Sequence, residues 1–157
     1  MGNKMPEFQK DFEDFIILCN KYELEYLVIG GFAVSIHGYP RTTKDMDVCI
    51  NKTEGNAEKL IKILDDFGFS SLNFKIEDFL KDNIIAQLGY EPIRIDILND
   101  LNGVDFKTAF TNRRVVNMNG VPTNFIGFAE LIINKERAGR DQDLLDVKKL
   151  KERNKSK

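Results

Sequence analysis

The sequence predicts a single α/β or α+β domain, in which helices pack on a mixed β-sheet. Its 157 residues are the length of one ordinary domain. Short apolar runs of strand length alternate with longer segments whose apolar residues recur at helical spacing. Turn signals such as Asn119-Gly120 separate neighbouring strand segments, and they are typical of antiparallel hairpins. A mixed sheet is therefore expected instead of a doubly wound parallel one.

Bulk composition places the chain among ordinary globular proteins. Hydrophobic residues make up 42% and charged residues 31%, and the net charge of -2 does not indicate a nucleic-acid-binding protein, although a local basic patch stays open. Cys19 and Cys49 lack the CxxC spacing of metal or redox sites, so both are expected to be reduced core thiols. No apolar run approaches the ~20 residues of a membrane span, and the charged N-terminus does not match a signal peptide. A cytoplasmic protein without a membrane partner is expected.

The first half of the chain is predicted to begin with an amphipathic helix over about residues 6–22. Pro6 suits the first turn of a helix, and the apolar residues after it recur at helical spacing. That stripe consists of Phe8, Phe12, Phe15, Ile16 and Cys19. The elements expected next are a strand at Tyr26–Ile29, a short helix at Phe32–His37, a strand at Asp45–Ile50 and a helix from the cap Thr53 to about Phe67.

The second half is predicted to contain further strands and three helices. A strand over residues 69–74 and a helical turn over 76–81 precede two strands in NIIAQLGY and IRIDILND, which a break near Gly89–Pro92 separates. A short helix in DFKTAFTNRR precedes two extended pieces around Asn119-Gly120. Two closing helices, Gly127–Arg137 and Asp141–Arg153, are expected to meet at Gly139. The core would span about residues 24–150, and residues 148–157 form a basic tail.

Two aspartates separated by one residue, Asp45 and Asp47, are the first indication of a chemical site. Side chains at positions i and i+2 of a strand project from the same face, so these two carboxylates would stand side by side. Such a pair is mutually repulsive unless a cation lies beside it. Mg²⁺ prefers one or two carboxylates together with water and phosphate oxygens. The pair therefore predicts a divalent-metal site.

A third carboxylate is expected from Asp96 in the segment IRIDIL. Ile93, Ile95 and Ile97 alternate there with Arg94 and Asp96, so the isoleucines would face the core and the charged residues the opposite side. Asp96 is the only acid in that strand. Three carboxylates can hold two metal ions roughly 3.5–4 Å apart, as in enzymes of phosphate chemistry.

The glycine pair Gly30-Gly31 is expected at a strand-to-helix junction. Exposed backbone N–H groups at such a junction bind phosphate, and glycine permits its close approach. The segment lacks both the GxxxxGK[ST] and the GxGxxG pattern. A phosphate-binding junction beside three carboxylates indicates phosphoryl or nucleotidyl transfer.

These segments together resemble the nucleotidyltransferase superfamily, which includes DNA polymerase beta, aminoglycoside nucleotidyltransferases and minimal bacterial nucleotidyltransferases. The matching pattern is IGG, thirteen intervening residues, DMDV and a later IDIL. The chain is most similar to the small bacterial branch related to AbiEii-type toxins, and the similarity covers about residues 26–150. Its further matching residues are Ala33, His37, Gly38, Arg41, Thr43, Lys135, Ala138, Arg140, Asp143 and Asp146, with Gln142 where a lysine is common.

The resemblance implies a nucleotidyltransferase fold and a role for each matching site residue. Asp45 and Asp47 would bind the metal ion of the triphosphate and bridge to a catalytic metal, Mg²⁺ or Mn²⁺. Asp96 would bind the catalytic metal and could accept the proton of the acceptor hydroxyl. The remaining expected nucleotide-binding residues are Gly30, Gly31, His37, Arg41, Thr43 and Lys135.

Structural roles stay open for several of these residues. Asp45 and Asp47 could face water on an edge strand, and Gly30-Gly31 could be a plain tight turn. His37 could cap or pack, the Arg41–Lys44 loop could be mere surface, and Lys135 could lie on a solvated helix face. Arg140, Asp143 and Asp146 could dock the last helix through an Arg–Asp pair, and Asp143 could instead cap that helix or orient Lys135.

The expected function is transfer of a nucleoside monophosphate from an NTP to a hydroxyl of an acceptor. The acceptor could be tRNA or another RNA, a protein or a small molecule, and a toxin role would bring a cognate antitoxin or other partner protein. The alternatives are a catalytically silent nucleotide- or partner-binding module of the same fold, and an antibiotic-modifying nucleotidyltransferase. Few residues follow Phe128, so the acceptor would be held by this domain, a second copy or a partner.

Overall fold

The computed structural model of the protein describes residues 9–90 and 93–155. Its strands are β1 Tyr26–Ile29, β2 Asp45–Ile50, β3 Ile85–Tyr90, β4 Ile93–Leu98, β5 Arg114–Met118 and β6 Val121–Phe125. Its α-helices are α1 Lys10–Lys21, α2 Gly30–Ile36, α3 Glu54–Asp66, α4 Phe106–Thr111, α5 Phe128–Ala138 and α6 Asp141–Arg153. Pro6 and Phe8, expected in the first helix, lie outside the described residues, as do Glu91 and Pro92 of the expected break.

The strands form one mixed sheet, which confirms the predicted fold class. Their order is β3-β4-β2-β1-β6-β5. The pairs β1–β2, β3–β4 and β5–β6 are antiparallel, whereas β2–β4 and β1–β6 are parallel. Asn119 and Gly120 both have positive φ angles, 54° and 89°, at the tight turn between β5 and β6. The sheet therefore consists of three antiparallel pairs joined through parallel contacts.

The central strands divide polar from apolar side chains between the two faces of the sheet. On β2, Met46 and Val48 are buried and alternate with Asp45 and Asp47. On β4, Ile95 and Ile97 alternate in the same way with Arg94 and Asp96, as the sequence predicted. The side chain of Ile93 is outside the described part. The hydrophobic core includes the buried stripe of α1, formed by Phe12, Phe15, Ile16 and Cys19.

Several boundaries follow from local chemistry. Thr53 caps α3, since its side chain accepts a hydrogen bond from the backbone N–H of Asn56, as predicted. The short helix α2 begins at Gly30, two residues before the predicted start, so the glycine pair is its first turn. Gly139 ends α5 in the left-handed conformation, φ 68°, and separates it from α6 as expected.

The predicted strand over residues 69–74 is wrong. Ser70–Leu72 forms a single 3₁₀ turn instead. Asn73 ends that turn with φ 55°, a left-handed conformation that interrupts an extended strand. Leu72 is exposed, while Phe69 and Phe74 pack on the edge of the core, so the two aromatic residues anchor a turn.

Both cysteines are buried and unpaired, as expected. Burial raises the pKa of each thiol well above its ordinary value, which keeps both in the neutral form. No α-helix within the described ranges has the length and apolar character needed to cross a bilayer.

Candidate nucleotide and metal site

Three aspartates lie on one face of the central sheet. In the parallel pairing of β2 with β4, Asp47 is directly opposite Asp96, and Asp45 is directly opposite Arg94. Directly paired residues of neighbouring strands project from the same face. Asp45, Asp47 and Asp96 therefore form one acidic group, which we call the acidic face, and the sequence placed its members correctly.

Arg94 lies within the acidic face and pairs with two of its aspartates. Its guanidinium is 2.8 Å from Oδ2 of Asp45. It also donates to both carboxylate oxygens of Asp96, at 3.0 and 3.1 Å. The sequence indicated that Arg94 shares this face but not that it bridges two carboxylates. Three carboxylates and one guanidinium leave a formal charge of about −2 when all are ionised.

Asp47 is the least compensated member of the acidic face. Burial, with added repulsion from the Asp96 and Asp45 carboxylates, raises the pKa of Asp47 to about 6. Lys135 and Arg94 act in the opposite direction but do not outweigh these effects. A carboxylate in this condition gains from an added cation, because a cation removes the repulsion that burial strengthens.

The donor set of the acidic face fits a hard divalent cation. Oδ1 of Asp45 is buried and has no hydrogen-bond partner, and an unsatisfied carboxylate oxygen is a ready metal ligand. No three His, Cys, Asp or Glu side chains of the described residues converge closely enough to bind one ion together. Mg²⁺ needs only one or two carboxylates besides water and phosphate oxygens, so a pair containing Asp47 suffices.

Gly30 and Gly31 bring backbone close to this face. Gly30 has φ +68°, and a Cβ atom there would lie 2.2 Å from Oδ2 of Asp47. A Cβ atom at Gly31 would lie 2.9 Å from Cβ of Thr43, whose hydroxyl donates to the backbone oxygen of Asp45 at 3.1 Å. Both glycines are thus required by close approach to the loop and strand that carry the aspartates.

Lys135 is buried at 5% exposure, so the expected alternative of a solvated helix face does not apply. Its ammonium lies 3.1 Å from Asp143 and 3.0 Å from Asp146. Asp146 is fully buried and also accepts from Arg41, at 3.1 Å. The loop before β2, helix α5 and helix α6 are joined by this buried ion network.

Arg140 and Asp143 form the Arg–Asp pair that the sequence allowed. Nε of Arg140 donates to Oδ2 of Asp143 at 2.7 Å, and the backbone N–H of Arg140 donates to the same oxygen at 3.3 Å. Burial opposes ionisation of Asp143, but the hydrogen bonds from Arg140 and Lys135 outweigh it and hold the pKa of Asp143 below its usual value. Asp143 thus caps α6 and also positions Lys135.

A cleft of about 280 Å³ lies beside the acidic face. Gly30 and Asp47 line one side, and Lys135, Arg140 and Asp143 line the side formed by α5 and α6. Its remaining lining residues are Ile29, Asn83, Ile84, Ile85, Leu98, Asp100, Asn102, Asn134 and Ala138. Among them, Asn134 carried no signal in the sequence, because an isolated asparagine in a helix matches no motif.

Four of the expected nucleotide-binding residues, Gly31, His37, Arg41 and Thr43, do not line this cleft. His37 ends α2, and its Nε2 lies 2.7 Å from the backbone oxygen of Ile126 while its ring contacts Phe128. Arg41 is paired with Asp146, and Thr43 packs against Gly31. The contacts of His37 match its packing alternative, whereas the pairing of Arg41 with the buried Asp146 does not match a mere surface loop. The cleft brings Gly30, Asp47 and Lys135 together, and His37 is not part of its lining.

Solved structures with the same fold include nucleotidyltransferase-like proteins. An antigenic nucleotidyltransferase-like protein of Paracoccidioides brasiliensis has 16% identity and a TM-score of 0.56, over 88% of this chain and 72% of that chain. The lincosamide antibiotic adenylyltransferase LnuA, solved with lincomycin bound, has 16% identity and a TM-score of 0.55, over 92% and 97%. At these identities the likeness concerns the fold, and it confirms the nucleotidyltransferase fold that the resemblance implied.

Comparison with protein-family models identifies the family of this chain. A search of the curated proteins found no match. Residues 11–157, nearly the whole chain, match the family described as "Nucleotidyl transferase of unknown function (DUF2204)". The AbiEii-type branch is not what this family match names. The chain belongs to the nucleotidyl transferase family DUF2204.

Proposed function

We propose that this protein transfers a nucleoside monophosphate from an NTP to a hydroxyl group of an acceptor, with Mg²⁺ or Mn²⁺ as cofactor. The observation that carries the proposal is the acidic face beside Gly30, with the buried Lys135 lining the same cleft. Carboxylates bind the metal ions that accompany triphosphates, and a lysine favours the phosphates as a point charge. The family membership supports the same reaction class.

Each residue of the acidic face has a role in the proposed binding. Asp45 and Asp47 would hold the metal ion that accompanies the triphosphate, and Asp47 and Asp96 would hold the catalytic one. The buried, unpartnered Oδ1 of Asp45 and the repulsion acting on Asp47 support these assignments. The backbone of Gly30 and Gly31 would contact the triphosphate, because no side chain keeps the phosphates away there. A bound metal ion would neutralise the charge that develops on the phosphates.

The reaction is an in-line displacement at the α-phosphorus. The acceptor hydroxyl oxygen forms the new bond to phosphorus, the bond from phosphorus to the oxygen bridging to the β-phosphate breaks, and pyrophosphate leaves. The hydroxyl proton passes to Asp96. Each oxygen of Asp96 accepts one hydrogen bond from Arg94, which leaves a further lone pair on each oxygen for the proton.

Arg41, Thr43 and His37 would act mainly by holding the site in place. Arg41 fixes the loop before β2 to Asp146 of α6, and Thr43 packs where Gly31 lacks a side chain. His37 lies at the end of α2 against Ile126 and Phe128, a position that supports α2 from behind. Of the side chains expected to contact the phosphates, Lys135 is the one whose position in the cleft supports the proposal.

The acceptor defines the biological role. We propose a toxin of a toxin–antitoxin pair that modifies tRNA or another RNA, since the motif residues around Asp45 and Lys135 resemble those of AbiEii-type toxins. Expression of the wild type should arrest growth. A neighbouring gene product should relieve the arrest, and expression of Asp47→Asn should not cause it. Protection of cells from lincosamides or aminoglycosides would instead indicate an antibiotic-modifying enzyme. NTP binding without turnover would indicate a catalytically silent module.

Calorimetric titration of the four NTPs, with and without Mg²⁺, tests the proposal directly. The wild type should bind at least one NTP only when Mg²⁺ is present. The double variant Asp45→Asn/Asp47→Asn should lose that binding but still unfold in a cooperative thermal transition. Asp96→Asn should retain binding but lose transfer. Metal-independent binding that survives in the double variant would contradict the assignment of the acidic face.

A further inference from the structure

Asn134 is a buried polar side chain with no hydrogen-bond partner among the described residues. It lies on α5 next to Lys135, is 8% exposed and lines the cleft. Across residues 9–90 and 93–155, no hydrogen bond satisfies its side-chain amide, although neither amide atom is among the fully enclosed unsatisfied atoms. The amide therefore has hydrogen-bonding capacity that the described part of the chain leaves unused, and a ligand in the cleft can use it. Asn134 lies one helical turn before Arg137, whose guanidinium donates to the backbone oxygen of Asn102 at 3.4 Å, so this side of α5 faces the chain that follows β4.

The floor of the cleft extends from the acidic face towards the edge of the sheet. Ile29 is paired with Asp47 across β1 and β2, and Ile85 is paired with Leu98 across β3 and β4. All four residues line the cleft and project from the same sheet face. From β2 to β3 there are two strand spacings, which is roughly 10 Å. A triphosphate held at Gly30 and Asp47 thus leaves room for a group attached several bonds away.

The chemistry changes along this floor. Near β3 the lining consists of Ile84, Ile85 and Leu98, with Asn83 and Asp100 beside them. No cation lies in this part of the lining, and the carboxylate of Asp100 would repel a phosphate. Apolar walls with a few amide and carboxylate groups suit an uncharged, planar ring that bears hydrogen-bonding groups.

We propose that the β3–β4 end of the cleft is the nucleobase subsite, and that Asn134 is the residue that hydrogen-bonds the edge of the base. This inference rests on the proposed function, because it assigns the base of the NTP whose triphosphate would lie at Gly30 and Asp47. An asparagine amide offers one donor side and one acceptor side, which matches the paired acceptor and amino group of adenine or cytosine. Asp100 adds a second acceptor for an exocyclic amino group. Because the ionised carboxylate of Asp100 can only accept, a base with an exocyclic amino group is favoured, and ATP or CTP is expected to be preferred over UTP.

Comparison of an NTP with a ligand that lacks the base tests the subsite. The affinities of Mg²⁺–ATP, Mg²⁺–CTP and Mg²⁺–tripolyphosphate are measured by calorimetry for the wild type, Asn134→Leu and Glu136→Gln. Glu136 lies on the same helix but on its exposed side, so Glu136→Gln is the matched control. In Asn134→Leu, affinity for the preferred NTP should fall about tenfold, whereas affinity for tripolyphosphate should change less than about twofold. Glu136→Gln should leave all three affinities unchanged.

The outcomes separate this inference from the proposed function. A wild type that binds neither NTP nor tripolyphosphate would overturn the proposed function and the subsite with it. A wild type that binds tripolyphosphate as tightly as the NTPs, or an Asn134→Leu variant that loses both equally, would overturn the subsite alone. Should Asn134→Leu fail to fold, Asn134→Ser removes the same amide and introduces a smaller polar side chain. The ratio of its affinities for the NTP and for tripolyphosphate then tests the subsite in the same way.

Discussion

Gly30 and Asp47 approach each other so closely that no side chain fits between them. A Cβ atom on Gly30 would lie 2.2 Å from Oδ2 of Asp47, and Gly30 has a φ of +68°. Two independent constraints therefore select glycine here: the left-handed backbone and the absence of space in front of the aspartate. The same closeness leaves backbone, and not side chain, beside the carboxylate that the proposed metal ion would contact.

Replacing Gly30 with alanine should damage both the fold and the site. The positive φ should destabilise the variant by about 1–2 kcal/mol, and the contact with Asp47 should add to this, since either the backbone or the carboxylate must shift. Mg²⁺-dependent NTP binding should fall by more than tenfold, about 1.4 kcal/mol. Urea denaturation and calorimetry measure the two effects.

Gly120 supplies the matched control for that substitution. Its φ is +89°, and no atom lies within 4 Å of a Cβ placed there. Gly120→Ala should therefore show the backbone strain alone, with NTP affinity unchanged. Equal losses of stability in the two variants, with NTP binding intact in both, would show that the approach to Asp47 has no consequence.

The raised pKa of Asp47 predicts a distinctive pH dependence of stability in the metal-free protein. The pKa of Asp47 is about 6 in the folded state, whereas the ordinary value for an aspartate is 3.8. The folded state therefore favours the protonated form of Asp47. The contribution of Asp47 to the free energy of unfolding is most favourable below about pH 4 and is lost as the pH rises through about 6. A shift of about two pKa units corresponds to about 3 kcal/mol.

Asp47→Asn removes this titration and should make the metal-free protein more stable at pH 7 than the wild type. The gain should reach at most about 3 kcal/mol and should shrink below pH 5, as followed by denaturation in EDTA across the pH range. The difference in the free energy of unfolding between the variant and the wild type separates the effect of Asp47 from the effects of the other carboxylates. Parallel curves for the two proteins would contradict the unfavourable burial of its charge.

The acidic face could be predicted from sequence because it depends on strand periodicity alone. Once Asp45 and Asp47 are placed in one strand and Asp96 in another, alternation fixes the face on which each lies. The predicted strand at residues 69–74 failed because two aromatic residues flank a polar segment, and burial of their rings does not require an extended backbone.

The features that sequence could not supply are pairwise and long-range. Arg94 was recognised as facing the aspartates, but its bridging of Asp45 and Asp96 depends on the register between β2 and β4. The sequence predicts a phosphate contact for Lys135 with a solvated helix face as the alternative. Its burial follows from the packing of α5 on α6 against a loop more than ninety residues earlier. Asn134 is significant only because the cleft encloses it.

Arg94 should compete with metal ions for the acidic face. Its guanidinium pairs with Asp45 and Asp96, two of the three carboxylates that the proposed metal ions would contact. Arg94→Gln should therefore bind Mn²⁺ at least about threefold more tightly than the wild type, since a charge at about 4 Å interacts by up to about 4 kcal/mol near a protein surface. Electron paramagnetic resonance of free Mn²⁺ gives the affinities.

Stability measurements separate competition from simple damage at Arg94. Without metal, Arg94→Gln should melt at a lower temperature than the wild type, because the carboxylates lose a countercharge, and saturating Mn²⁺ should restore most of the difference. Arg113→Gln removes the same charge from the end of α4, where Arg113 lies over the ring of Phe110, and should leave Mn²⁺ affinity unchanged. Weaker Mn²⁺ binding in Arg94→Gln would instead make Arg94 a support of the metal site.

Lys135 should be essential to the fold as well as to the cleft. Asp143 and Asp146 are buried against its ammonium, so Lys135→Met would leave buried carboxylates short of their countercharge. Breaking a buried ion pair from one side typically destabilises by about 3–5 kcal/mol. Lys151→Met removes a lysine from an exposed pair with Glu136 and should change stability by less than about 1 kcal/mol. Urea denaturation at pH 7 compares the two variants. A Lys135→Met protein as stable as the wild type, but deficient in tripolyphosphate binding, would assign Lys135 to the phosphates alone and leave the joining of α5 and α6 to Arg41 and Arg140.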